Sequence, residues 1–307
     1  MKKLVFSLFV CGFILAGCKN EPVVAPDGDR QIVVFFSAPS VSASLLKATG
    51  DVDETISKVI LFGVDGTDTD VVAIDDPILE GSDLEDALDA GTVITLSKRI
   101  KTLYAIANPS DDLETYLETA SILTLTDLLA LTDDFSDEPD PSNLLMSGKG
   151  TVTDKSAKID LLRAVAKVVI VGLNEFDITS VQVMNTPDNG YVFEQETFSI
   201  PDPLSTTDYD EVEFTDPDDE KIFYVAESEL PGTEFVVTGS FNGKEATYTI
   251  KTLNKGATFY NLVRNRCYTV GLSPLTEDEV LVTIEITDWI PVEVDEQYIP
   301  DDNFVEP

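Results

Sequence analysis

Cys11, Cys18 and Cys267 are the only thiols of this 307-residue chain, and it contains no histidine to activate any of them. Without imidazole, a Ser-His-Asp triad, a Cys-His pair and an H-E-x-x-H zinc site are all closed to the sequence. What remains is carboxylate chemistry, and 57 Asp and Glu supply it in excess. Two clusters come closest to a site. Asp65-Gly66-Thr67-Asp68-Thr69-Asp70 resembles half of a calcium loop, but an EF-hand needs Gly at its sixth position and Glu at its twelfth, where this chain has Asp70 and Asp76. Asp216-Pro217-Asp218-Asp219-Glu220 has no defined ligand spacing. Both read as solvated turns, with opportunistic calcium binding as the alternative. A glycosidase needs only two carboxylates, yet among so many acids no pair stands out and no segment adds the aromatics of a sugar cleft. Phosphate-binding glycine motifs and the G-x-S-x-G elbow are also missing. The reading is a non-enzyme with no catalytic residue, no metal site and no cofactor.

The charge narrows the partners. Twenty Lys and Arg against 57 acids give −37, which argues against nucleic acid, whose phosphates must be neutralised by clustered cations. A hydrophobic content of 43%, with 16 Phe and 9 Tyr, is too high for a disordered acidic tail, so the charge coats a folded body.

The N-terminus reads as an address. Lys2 and Lys3 precede an apolar run from Leu4 to Ala16, shorter than the ~20 residues a membrane-spanning helix needs. The run ends in Leu15-Ala16-Gly17-Cys18, which resembles a bacterial lipobox: residues 1–17 are a signal peptide and Cys18 is the acylated mature N-terminus. This predicts an outer-membrane lipoprotein attached only through the Cys18 lipid and exposed at the cell surface. Cys11 leaves with the signal, so Cys267 has no partner for a disulfide and reads as a core residue of a strand.

Residues 18–30 contain two Pro and no periodic apolar pattern, as a tether would. From Gln31 onward, β-branched and aromatic runs recur between turn signals. They cover 31–37, 58–64, 93–96, 102–107, 158–173, 180–184, 222–226, 235–241, 246–253, 267–272, 280–286 and 289–294. This is an all-β sandwich pattern. Helical spacing is confined to Asp111–Leu131, through Leu113, Leu117, Leu125, Leu128 and Leu129, and to Pro77–Asp89. An acidic, Pro-containing loop at 133–142 marks the middle, and the run 158–173 exceeds a usual strand of five or six residues. The chain is therefore expected to pass from one sandwich to the next near Arg163–Ala166, dividing it into residues 31–164 and 165–307.

Five separated segments resemble the fimbrillin family, the lipoprotein-derived subunits of type V pili. Leu162-Arg163-Ala164-Val165-Ala166-Lys167-Val168 is similar to the family's R-x-x-A-K stretch at the junction of two domains. Tyr104-Ala105-Ile106-Ala107-Asn108, Leu145-Met146-Ser147-Gly148, Leu262-Val263-Arg264-Asn265-Arg266-Cys267-Tyr268 and Trp289 resemble four more of its segments in order. The bland roles of these residues are close strand packing for Ala164 and Ala166, a turn cap for Asn108 and a cover of neighbouring acids for Arg264. The resemblance implies two transthyretin-like Greek-key β-sandwich domains with short helical insertions. It also implies other pilus subunits as partners, a role in adhesion, and assembly by proteolytic strand removal and donor-strand exchange.

On that analogy the displaced strand is Gln31–Ser37, carrying Ile32, Val33, Val34, Phe35 and Phe36. Cleavage falls at Lys47-Ala48, where the family has an Arg-Ala bond; no Arg occurs here between Arg30 and Arg99, and an uncut loop is the alternative. The donor segment begins at Trp289 and continues through Ile290, Val292 and Val294, an alternation that can bury one apolar stripe. The same alternation also suits a last strand closing its own sandwich. An uncut anchor or tip subunit, and a surface glycan- or protein-binding lipoprotein, are the competing functions.

Overall fold

The computed structural model describes residues 28–37, 56–66, 70–72, 77–81, 91–119, 124–216, 221–229, 231–255 and 258–289, together with Ile74, Leu84, Glu85, Leu88 and Ile122. The N-terminal half supplies β1 (Asp29–Ser37), β2 (Lys58–Asp65), β3 (Val71–Val72), β4 (Ile78–Glu80), β5 (Thr92–Ser97), β6 (Ile100–Ala107), β7 (Thr132–Asp134), β8 (Met146–Thr151) and β9 (Ser156–Arg163). The C-terminal half supplies β10 (Val165–Gly172), β11 (Phe176–Met184), β12 (Thr186–Pro187), β13 (Asn189–Tyr191), β14 (Thr206–Thr207), β15 (Val212–Glu213) and β16 (Lys221–Ala226). It continues with β17 (Glu234–Phe241), β18 (Lys244–Ile250), β19 (Leu253–Lys255), β20 (Thr258–Tyr260), β21 (Arg266–Pro274) and β22 (Val280–Asp288). The fold is all-β.

The first half is one eight-stranded sheet, ordered β3-β2-β6-β8-β9-β1-β5 with β4 added beside β2. Strands from its two ends point into a common core: Val59 and Leu61 of β2 meet Ile32, Val34 and Phe36 of β1 and Ile94 and Leu96 of β5. The sheet is therefore folded over on itself. The second half opposes two four-stranded sheets, β16-β10-β21-β22 and β15-β11-β17-β18. Val168, Ile170, Phe223 and Val270 from one meet Phe176, Val181, Phe235 and Tyr248 from the other, and Phe176 meets Tyr248 edge to face at 5.4 Å. Alternation along β1, β9, β17 and β18 puts one face inside, as period-2 geometry requires, whereas β2, β6, β10 and β16 are buried on both faces over most of their length.

The run 158–173 is two strands. Ala164 separates β9 from β10, and its N–H donates to Leu145 O at 2.9 Å, which carries the β8–β9 register one residue past the end of β9. A side chain this small fits the crossing, where Ala164 is only 2% exposed. The helical stretch 111–131 is likewise interrupted, giving α1 (Asp111–Thr119) and α2 (Leu125–Leu129). Thr124 is the reason: it takes an extended conformation, accepts from Asp127 N through Oγ1, and receives Asp127 Oδ2 on its own N–H, a capping box that starts a new helix. Within 77–89, Ile78–Glu80 is strand rather than helix, and helical geometry is limited to Gly81, Leu84, Glu85 and Leu88 among the described residues.

Residues 133–142 do not form a free linker. They begin inside β7, which pairs with β13 of the second half, and they continue through buried Phe135 to a 3-10 turn at Pro141–Asn143. The loop is acidic because its rim is wet, while its apolar residues help fill a third core between the halves.

Candidate functional site

The resembling segments, far apart in sequence, converge on that third core. β9 delivers Arg163 to it, with the side chain fully buried. The Arg163 guanidinium lies 4.2 Å from the centre of the Trp289 ring, and Nη1 donates to Trp289 O at 3.1 Å. On its other side the Trp289 ring stacks on Tyr224 of β16, with centroids 5.6 Å apart, while Lys167 Nζ of β10 lies 5.5 Å away. Cations over an indole face are attracted by its quadrupole, more strongly where water is excluded. Trp289 N donates to Asn265 O and Asn265 N to Val165 O, so the end of β22 is tied to the strand crossing itself.

Arg264 makes the second knot. It is 3% exposed, and its Nε donates to Glu227 Oε2 at 2.6 Å while its backbone N donates to Glu227 Oε1. Its other nitrogens donate to Val192 O at 2.9 Å and Tyr191 O at 2.6 Å. Val192 O also accepts from Ser147 Oγ of β8 at 2.7 Å, so one carbonyl joins the two halves. Gly148, next along β8, is glycine because a Cβ there would lie 2.2 Å from Asp160 O of β9. Asn108 sits in the left-handed region at φ 53°, accepts from Ser57 N and donates to Leu144 O, closing the end of β6. Tyr104 meets Phe193 edge to face at 5.4 Å. Among the described residues no group of carboxylates or Cys is placed to hold a metal ion, and Asp65, from the candidate calcium loop, is turned inward onto Arg99 Nε at 2.7 Å.

The other element expected from the sequence is β1. It lies between two neighbours, antiparallel to β5 from Asp29↔Ser97 to Val34↔Thr92 and parallel to β9 from Val33↔Ser156 to Ser37↔Asp160. Ile32, Val34 and Phe36 are buried, and Val33 and Phe35 face outward, with Phe35 42% exposed. Both faces are apolar, as the dense run suggested, but only alternate residues enter the core. Cys18, Lys47, Ala48, Ile290, Val292 and Val294 lie outside the described residues.

No curated protein matches the sequence. The family model described as fimbrillin-A associated anchor proteins Mfa1 and Mfa2 matches residues 75–295, most of the chain. The chain belongs to this family. The tip fimbrial protein Mfa3 of Porphyromonas gingivalis, with a C-terminal truncation, is similar at TM-score 0.59 and 15% identity over 85% of this chain and all of that one. A cell adhesion protein of Bacteroides eggerthii gives 0.57 and 16% over 88% and 99%, and a fimbrial assembly protein of Parabacteroides distasonis 0.54 and 15% over 85% and 98%. At such identity these structures speak to the fold. A fimbrillin-associated protein is a structural component of cell-surface appendages, and the geometry above is that of a joint between two halves and of an apolar strand paired on both edges.

Trp289, the expected first residue of the donor segment, is 7% exposed and held within its own chain, by stacking on Tyr224, by the Arg163 guanidinium over its ring and by its backbone bonds. One sequence expectation needs correction. Cys267 is half-buried at the rim of the junction core rather than inside a sandwich. Glu227, Tyr224 and Val192 were not singled out by their sequence context. Their partners stand up to 72 positions away, and nothing local distinguishes Glu227 from the other acids.

Proposed function

We propose that the chain is a pilus component exported as a lipoprotein on Cys18, in which β1 fills an acceptor groove that a neighbouring subunit's strand enters after cleavage at Lys47-Ala48. Residues 18–30 form the tether, and 31–164 and 165–307 form the two domains, a division supported by the change of sheet at Ala164. The observation that carries the reading is the position of β1, paired on both edges yet the first of the described strands. Its removal uncovers two ladder edges and the sites of three buried side chains, roughly 5–9 kcal/mol of apolar burial at about 1.5–3 kcal/mol each. Only another strand of alternating apolar pattern restores both the hydrogen bonds and the packing. Because Trp289 stays with its own subunit, the donor begins beyond it, with Ile290, Val292 and Val294 as the inserting stripe.

A second reading, an uncut anchor or tip subunit, is favoured by Lys in place of Arg at the cleavage position and by a family model built on anchor proteins. Intact mass of the protein isolated from cells separates the two. A chain beginning at acylated Cys18 in assembled pili overturns processing and supports the anchor or tip role. A chain beginning at Ala48, absent in Lys47→Ala, supports strand exchange.

A further inference from the structure

The cations of this acidic chain are not evenly spread. Arg30, Lys98, Arg99, Lys101 and Lys155 gather at one pole of the first sheet, where β1 begins and where the β5–β6 and β8–β9 turns lie. Backbone bonds hold these turns together. Lys98 N donates to Gly28 O at 3.3 Å, Val152 N to Lys101 O at 2.8 Å and Val33 N to Lys155 O at 2.9 Å, while Arg30 Nη2 donates to Ile100 O at 2.7 Å. Four described carboxylates share the pole, one of them the exposed Asp70, whose carbonyl accepts from Asp65 N at 3.0 Å. Asp65 is buried on Arg99, Asp154 lies 3.8 Å from Arg30, and Asp29 is exposed. Lys98, Lys101 and Lys155 are exposed, and among the described residues none has a carboxylate partner.

The pole has a direction. β9 runs from Ser156, beside these cations, to Arg163 at the junction, so eight residues at about 3.3 Å each place the cations roughly 25 Å from the second half. Gly28, where the tether enters, is at the same pole. The ten residue-to-residue steps from Cys18 to Gly28 reach at most about 35 Å even when fully extended.

We propose that this basic pole is a contact surface for the anionic, phosphate-bearing headgroups of the membrane that holds the Cys18 lipid. The proposal rests on the lipidation reading above and adds an orientation to it. An anionic surface attracts lysines within about a Debye length, roughly 8 Å at physiological salt, and repels the rest of a chain of charge −37. The molecule then stands on its first half with the second half directed outward. The acidic surface of a second copy offers the same pole a different partner, but the tether's entry at this pole favours the membrane.

The test is amine-labelling of the acylated, full mature protein in vesicles of phosphatidylcholine, with and without phosphatidylglycerol as about one third of the lipid. Mass spectrometry then compares Lys98, Lys101 and Lys155 with Lys244 and Lys251 of the second half. The expected result is labelling of the three pole lysines slowed about fivefold or more on anionic vesicles alone, and restored by about 0.5 M salt. Lys244 and Lys251 should label equally on both. In the variant Lys98→Glu/Lys101→Glu, Lys155 should lose its protection. Equal labelling on both vesicle types overturns the proposal, as does protection that appears without vesicles and grows with protein concentration, which assigns the pole to a second copy. Intact mass of the same sample reports the acyl chain, so failed lipidation is a separate result; co-sedimentation of that unacylated chain with the two vesicle types then decides the pole contact.

Discussion

Replacing Trp289 should loosen the joint between the two halves by an amount the structure sets. The side chain is 7% exposed, and a tryptophan buries on the order of 200 Å², worth about 5 kcal/mol at about 25 cal/mol per Å². Alanine retains a small part of that and leaves a cavity between Tyr224 and Arg163, so Trp289→Ala should cost about 3–5 kcal/mol. Trp289→Phe keeps a ring on Tyr224 and a face for Arg163 and should cost about 1–2 kcal/mol. Urea unfolding followed by far-ultraviolet circular dichroism measures both, since the variants lack the chain's only tryptophan. The wild-type fluorescence reports the junction alone. Crossing Trp289→Ala with Arg163→Met should reveal a coupling of about 0.5–2 kcal/mol from the guanidinium over the ring. A Trp289→Ala loss below about 1 kcal/mol, or strict additivity with Arg163→Met, would refute the account of this joint.

Truncation sharpens the donor-strand proposal: a chain ending at Trp289 should melt like the wild type while failing to form multimers, whereas one ending at Asp288 should lose about as much stability as Trp289→Ala. Unchanged multimers in the first chain, by native mass spectrometry, would remove residues beyond 289 from assembly. Arg264→Met strands Glu227 and the carbonyl of Tyr191, and leaves Val192 O to Ser147 alone, so it should cost about 3–5 kcal/mol in the same urea assay, with Arg264→Lys intermediate. Burial raises the Asp133 carboxyl above its ordinary value, outweighing the hydrogen bonds it accepts from Ser110 and from the Asp134 N–H. Its ionisation therefore disfavours the native state: its contribution is present below the unfolded value of about 3.9 and is lost as pH rises through the higher folded value. Asp133→Asn should accordingly gain stability relative to wild type as pH rises from about 4 to 7, and a difference that is constant or shrinks over that range would contradict this.

The sequence by itself determined the class and the order of the strands. Alternation at 31–37, 235–241 and 280–286 is a local property, fixed by the need to bury one face of a pleated strand. The lack of histidine and the acid excess likewise closed whole chemistries without reference to shape. The segments carrying Arg163, Ser147, Arg264 and Trp289 could be picked out because their residue types recur in a known order, but their shared purpose was not legible. Arg264 finds Glu227 across 37 positions and Val192 across 72, and Arg163 finds Trp289 across 126, distances over which no periodicity carries information. The break of 158–173 at Ala164 was decided by a change of strand partners, from β8 and β1 on one side to β16 and β21 on the other, and the break between the helices by the Thr124 cap. Only the tertiary structure could show that β1 lies between β5 and β9, because its pattern suits an edge and a centre equally well. The gathering of Lys98, Lys101 and Lys155 was hidden for the same reason: strand pairing, not spacing in the chain, brings separate turns to one pole.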